Sequence, residues 1–115
     1  MTGITDHPGV VLVNPFTIFD GKEDAFLALW DQTEPLFREH PGYGRARLLR
    51  AIPGQVANQK APFTHVNIAE WRSAADYEEA LRHPDLRKIG GQYLKISTFN
   101  PALYEVIRDI AADRD

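Results

Sequence analysis

From Val10 to Ile18 the chain reads Val-Val-Leu-Val-Asn-Pro-Phe-Thr-Ile, a run of β-formers that predicts a first strand. Pro15 has no N–H to give a ladder, so it predicts an edge position or a bulge there. Phe26, Leu29, Trp30, Thr33 and Phe37 then recur at helical spacing, predicting a helix over roughly 21–39. Asp20 and Glu23 have the spacing of a capping box, with a carboxylate in place of the hydroxyl. Pro35 predicts a kink or a break late in that helix, and His40-Pro41-Gly42 ends it. Tyr43 to Ile52 predicts a second strand, 53–62 a surface loop, and Phe63 to Trp71 a third strand. Ser73 caps a second helix, with Asp76 three residues on and Tyr77, Ala80 and Leu81 as its apolar face. His83-Pro84-Asp85 breaks and restarts the helix. Leu86, Ile89 and Tyr93 form the next stripe, which Gly90-Gly91 weakens. Ala102 to Ile107 predicts a fourth strand.

The resulting order, β-α-β-β-α-β, is the split βαβ or ferredoxin-like arrangement. The expected fold class is α+β, with helices on one face of a four-stranded antiparallel sheet. Residues 1–9 read as a flexible arm, 10–110 as one domain and 111–115 as a polar tail.

Side chains alternate across a strand. Leu12, Asn14, Phe16 and Ile18 share one face of strand 1, and Val11 and Val13 take the other. Phe63, His65, Asn67, Ala69 and Trp71 share one face of strand 3, and Val66 and Ile68 take the other. Both faces are therefore largely apolar, whereas a sheet with one wet face alternates apolar and polar. Two helices cover one face only. A second copy of the chain is the simplest cover for the other, so a homodimer is expected.

The polar residues on the first face form a candidate site. Asn14 lies between Leu12 and Phe16, while His65 and Asn67 lie between Phe63 and Trp71. A buried amide without a partner costs about 1–3 kcal/mol. A lone Asn of this kind usually bonds nearby backbone. Two amides, an imidazole and an indole N–H on two strands instead resemble a ligand pocket, with apolar walls and a few convergent polar groups. Phe26, Trp30 and Phe37 read as core residues, some of them lining that pocket from the helix side.

Composition narrows the classes. The 115 residues suit one domain, and a net charge of −3 without a basic stripe argues against nucleic acid. No apolar run is long enough to span a bilayer, and no secretory signal is visible, so no membrane partner is expected. Cysteine is absent, which removes disulfides and thiol chemistry and fits a cytoplasmic, reducing location. The histidines, at 7, 40, 65 and 83, lack short metal-ligand spacing, so no metal is expected. Arg45, Arg47 and Arg50 read as a solvated strand surface.

The segment Val66-Asn67-Ile68-Ala69-Glu70-Trp71, followed by Ser73, Tyr77 and Ala80, resembles the antibiotic biosynthesis monooxygenase family. Strand 1, the Pro41-Gly42-Tyr43 turn and the closing Pro101-Ala102-Leu103-Tyr104-Glu105-Val106 extend the match to roughly 10–108. The resemblance implies a dimeric α+β barrel, with a pocket between each sheet and its own helices. In one branch it implies oxidation of aromatic polyketides such as anthrones to quinones, with molecular oxygen as co-substrate and no cofactor. The polar pocket residues of that branch fall on Asn14, Asn67 and Trp71 as catalytic groups, and on Tyr77 for substrate binding. An arginine of some members aligns with Gly91, and Arg87 is its nearest substitute. Phe16, Phe26, Trp30 and His65 complete the expected substrate-binding set, with His65 also a candidate base. A second branch degrades haem. Its characteristic Trp and His align with Ala80 and Gly90, which argues against that activity. His83 lies close by in sequence and is expected to face outward. Two other readings use the same scaffold: a cyclase or isomerase of polyketide-like substrates, and a non-catalytic dimeric small-molecule-binding protein.

Overall fold

The computed structural model describes residues 9–55 and 61–113. The elements run β1 (Val10–Phe16), α1 (Glu23–Arg38), β2 (Tyr43–Arg50), β3 (His65–Trp71), α2 (Ala74–Ala80), α3 (Pro84–Gly90) and β4 (Ala102–Glu105). A 3₁₀ turn over Gly91–Lys95 continues directly from α3. The strands form one antiparallel sheet in the order β2-β3-β1-β4, so the expected ferredoxin-like fold is present. No helix of the described residues is long and apolar enough to cross a membrane. The expected N-terminal arm lies, apart from Gly9, outside the described residues.

Three local features differ from the sequence expectation, the start of α1, the effect of Pro35 and the strand lengths, while the weakening expected at Gly90-Gly91 is present. Asp20 does not cap α1. The Lys22 N–H bonds the Phe19 carbonyl at 3.0 Å, and Gly21 sits at φ 75°, a turn that only a residue tolerant of positive φ closes easily. That turn makes Lys22 the N-cap, with no side-chain bond, and frees the Glu23 carboxylate for other partners. Pro35 does not break α1, which is continuous to Arg38. The helix changes to 3₁₀ at Gly90-Gly91, where neither residue brings a side chain to favour the wider coil. The strands are shorter than expected: β2 ends at Arg50, β3 begins at His65 and β4 ends at Glu105. Pro15 does take an edge-like place. The last β1–β4 pair is Val13 with Ala102, and beyond it the Pro15 carbonyl accepts from Asn100 Nδ2 at 3.3 Å.

Register sorts the faces as alternation requires. Leu12 pairs with Ala69, Asn14 with Asn67 and Phe16 with His65 on the helix-covered face. Phe26 and Leu29 of α1 pack there with Phe16, and Tyr77 and Ala80 of α2 pack there with Leu12 and Trp71. The opposite face carries Val11, Val13, Val66 and Ile68, all half-buried, with Leu49 and Tyr104 exposed. Burying that apolar surface is favourable at about 25 cal/mol per Å².

At the start of β2, Tyr43 and α1 are clasped by one carboxylate. Tyr43 Oη donates to Glu34 Oε2 at 2.7 Å, and the Arg38 guanidinium donates to the same carboxylate. Arg38 first and Tyr43 second hold the Glu34 pKa below its ordinary value, against the opposing effect of burial. A carboxylate with a depressed pKa stabilises the fold above its unfolded pKa, and that stabilisation is lost as pH falls through the folded value. Glu34→Gln is therefore expected to lower stability at pH 7 by about 1–2 kcal/mol. It should also flatten the fall in unfolding free energy between pH 5 and pH 3, measured by denaturant titration at each pH. An unchanged pH slope would show that the clasp contributes nothing.

Candidate active site

The apolar core is divided in two. Leu12, Ala69, Trp71, Tyr77 and Ala80 form one cluster, and Phe16, Ile18, Phe26, Leu29 and Tyr93 form the other. The division falls where both central strands place an amide, Asn14 opposite Asn67, in an otherwise apolar face. Between the clusters lies a cavity of about 220 Å³. Leu12 and Phe16 floor it on either side of Asn14, Trp30, Thr33 and Phe37 of α1 wall it, and Tyr77, Arg87 and Tyr93 approach from the later helical segments.

Each polar group in the lining has a definable state. Asn14 Oδ1 accepts the Asn100 backbone N–H at 2.9 Å, which orients the amide and leaves Nδ2 as a free donor. The Tyr77 hydroxyl makes no hydrogen bond, and burial raises its pKa. Tyr93 Oη lies 2.7 Å from Thr33 Oγ1, and burial pushes its pKa up to about 12. Among the described residues Arg87, which is exposed to solvent, has no ion-pair partner, and no carboxylate lines the cavity. The pocket, open to solvent on the side of Leu81, Arg87 and Phe99, therefore holds hydrogen-bond donors and one cation, and among the described residues nothing in its lining is basic near neutral pH.

Behind the lining are two further unpaired polar atoms. Asn67 Oδ1 and Trp71 Nε1 are both buried without a partner. Trp71 is 1% exposed, and its ring meets those of Phe37 and Tyr77, which do line the cavity, at 5.9 and 5.6 Å between centroids. A buried donor or acceptor left unpaired costs about 1–3 kcal/mol, so two such atoms beside one cavity are a standing cost to the fold.

The structure thus brings Asn14, Phe16, Trp30, Tyr77 and Arg87 to the cavity wall and places Asn67 and Trp71 directly behind it. It does not bring His65 or Phe26 to the lining. Phe26 is fully buried in the second cluster. His65 Nε2 bonds Glu23 Oε2 at 2.8 Å and its Nδ1 bonds Thr64 Oγ1 at 2.9 Å, so both ring nitrogens are engaged. Of the other histidines, His83 reaches Glu39 at 3.3 Å and caps α3 through Nδ1. His40, Asp76 and Glu79 bring ligand atoms within 4.8 Å of one another. His40 Nδ1, however, accepts the Gly42 N–H, so Nε2 carries the proton and faces Glu79, while Arg72 holds Asp76. These bonds make that cluster a clamp between α2 and the end of α1. Sequence periodicity marked Thr33 and Tyr93 as helix-stripe residues; nothing local showed that their hydroxyls meet.

If the amide and indole await a ligand, removing them should not harm the fold. Asn67→Leu is expected to unfold at or above the wild-type temperature, and Trp71→Phe within about 1 kcal/mol of it. Tyr43→Phe, which breaks a formed bond, should be less stable than wild type. A loss of more than about 2 kcal/mol in Asn67→Leu would mean that the amide is structural.

The fold is shared with several solved proteins. SnoaB from Streptomyces nogalater, described as a cofactor-independent oxygenase, superposes with a TM-score of 0.77 at 24% identity, covering 92% of this chain and all of that one. A protein from Shewanella loihica PV-4 to which monooxygenase activity is ascribed gives 0.67 at 29% identity, covering 89% and 97%. MhuD, in a structure with two manganese protoporphyrin IX molecules bound per active site, gives 0.66 at 16%, covering 90% and 99%. No curated protein sequence matches the chain. The family model for antibiotic biosynthesis monooxygenase matches residues 9–90, which hold β1 to α3 and most of the cavity wall but not Tyr93, Phe99 or Pro101, and the chain belongs to that family.

Proposed function

We propose that this protein is a cofactor-independent monooxygenase that oxidises an anthrone-like aromatic polyketide, or a similar quinol, to a quinone with molecular oxygen, and that it works as a homodimer. The observation that carries this reading is the pairing of a mostly apolar cavity with unpaired amide and indole groups behind it and an unpaired cation in its wall. The family membership and the likeness to SnoaB support the reaction class.

Oxygen is a triplet, so its direct reaction with a closed-shell organic molecule is slow. An anthrone overcomes this when its methylene loses a proton. The resulting enolate passes one electron to oxygen, the two radicals combine as a peroxide, and loss of water leaves the ketone. The balance is one CH₂ and one O₂ giving one C=O and one H₂O. The protein's task is to favour the enolate, hold it flat and limit water access. Donors aimed at a developing oxyanion do this best in a low-dielectric enclosure. Trp71 supplies such a donor through Nε1 and Asn67 through its Nδ2, the buried Asn67 Oδ1 being an acceptor; Asn14 Nδ2 assists, and Tyr77 bonds a ketone or phenol oxygen. Arg87 adds a positive charge that favours the anion. With Tyr93 at about 12 and the Tyr77 pKa raised, the lining stabilises the carbanion, and the proton leaves to water.

Haem chemistry fits the residues poorly. Among the described residues no imidazole or thiol lines the cavity, and Gly90, with which the resemblance aligns the haem-degrading branch's histidine, forms part of the wall.

The homodimer rests on the second sheet face. A partner's equivalent face would bury Val11, Val13, Val66 and Ile68, together with the exposed Leu49 and Tyr104. An Ile68→Asp variant is expected to sediment as a monomer where the wild type sediments as a dimer. A monomeric wild type would remove the dimer from the account.

Oxygen uptake tests the activity. Metal-stripped, flavin-free protein should consume oxygen with anthrone and release anthraquinone. Asn67→Ala and Trp71→Phe should each lose at least tenfold in kcat, the loss expected when one donor to an oxyanion is removed. No enzyme-dependent uptake by folded protein would sink this reading and favour a cyclase or a binding protein. Rearrangement of a polyketide-like substrate without oxygen uptake would identify the former.

A further inference from the structure

The hydroxyl pair Thr33–Tyr93 fixes a direction of hydrogen bonding that bears on which substrates the cavity accepts. Thr33 Oγ1 has one proton, and it points at the Leu29 carbonyl, 2.8 Å away and one helical turn back. The same oxygen lies 2.7 Å from Tyr93 Oη. Because the Thr33 proton is committed to Leu29, Tyr93 must donate in the contact between the two hydroxyls. The Tyr93 proton is then used as well. What Tyr93 Oη can still offer is a lone pair. Both residues line the cavity, Thr33 from α1 and Tyr93 from the 3₁₀ turn after α3. They come together although 60 positions separate them in the chain.

We infer that Tyr93, oriented by Thr33, is a specificity-determining residue that selects substrates carrying a free hydroxyl able to donate at that end of the cavity. Thr33 is the positioning residue in this pair. A ligand hydroxyl meets the Tyr93 lone pair directly. A ligand carbonyl, ether or halogen at the same place meets no donor unless the chain reverses, with Thr33 giving up Leu29 and donating to Tyr93. That reversal loses one hydrogen bond, which corresponds to a discrimination of roughly three- to tenfold. Asn14, with its Nδ2 free, has the opposite polarity and suits a carbonyl or oxyanion. The cavity is therefore polarised: it suits a flat aromatic with a ketone toward β1 and a donor hydroxyl toward the α1–Tyr93 corner. The inference rests on reading the cavity as an aromatic substrate site, as proposed above.

Two non-reacting probes of nearly equal shape test it: 2-hydroxyanthraquinone, which has a donor free of internal bonding to its ketones, and 2-fluoroanthraquinone, which has none. Binding is read from quenching of tryptophan fluorescence, to which Trp30 in the cavity wall responds. The wild type is expected to bind the hydroxy compound three- to tenfold more tightly. Tyr93→Phe should abolish the preference. Thr33→Val, which leaves the Tyr93 proton free to enter the cavity, should bring the ratio to one or invert it in favour of the fluoro compound. A general disturbance of packing would weaken both probes alike and leave the ratio in place. Tight binding of both probes with no preference, or a preference that survives both substitutions, overturns the inference while the aromatic-site reading stands. Failure of either quinone to bind folded wild type takes down the aromatic-site reading and this inference with it.

Discussion

The pairing of Asn14 with Asn67 across β1 and β3 is the constraint on which the rest of the site depends. Apart from His65, which is taken up by Glu23 and Thr64, the positions near it on the helix-covered face are apolar, and the helices could close over that face in a single packed core. Two amides at one level prevent this, because packing apolar side chains over an unpaired amide is costly. The core instead condenses as two clusters, one around Trp71 and one around Phe26, and the gap between them is the cavity. The sheet supplies rigidity: the pair sits on the two central strands, which are bonded on both sides over much of their length.

The same constraint separates stability from function in this chain. Groups that hold the fold have their partners. Glu34 clasps Tyr43 and Arg38, Glu23 bonds His65 and Arg50, and Ser73 caps α2 through the Asp76 N–H. Groups around the cavity do not: among the described residues Asn67 Oδ1, Trp71 Nε1 and the Tyr77 hydroxyl leave polar capacity unused. A protein selected for stability alone would fill that gap with aliphatic side chains. Buried polar groups left unpaired beside a mostly apolar pocket are what the proposed ligand would complete.

Much of this was legible in the sequence because it depends on local periodicity. Alternation in Val10–Phe16 and His65–Trp71 placed Asn14, Asn67 and Trp71 on one face, and the apolar character of Val11, Val13, Val66 and Ile68 marked the uncovered side. The helix stripe found Trp30 and Tyr77. What local pattern could not show was how side chains distant in the chain would combine. His65 looked like a site residue by its place in the strand, yet Glu23, freed by the turn at Gly21, takes its Nε2. Thr33 and Tyr93 looked like ordinary helix positions, and only the packing of the 3₁₀ turn against α1 joins their hydroxyls. Asp20 had the right residue type and spacing for a cap, but a turn residue with positive φ moved the helix start by two positions.

On the proposed reading the Trp71 indole N–H, buried without a partner, is held for a ligand in this cavity. The chain has two tryptophans, so the indole region of a nitrogen–proton correlation spectrum contains two signals, and a Trp30→Phe variant assigns them. On addition of anthraquinone to wild-type protein, the Trp71 signal should move downfield as its N–H gains an acceptor, and this movement should be lost in a variant whose cavity is filled by Leu12→Phe. A Trp71 signal that stays in place while the quinone binds and shifts Trp30 would contradict the claim, and would mean that the indole is a packing residue whose polar atom the ligand never reaches.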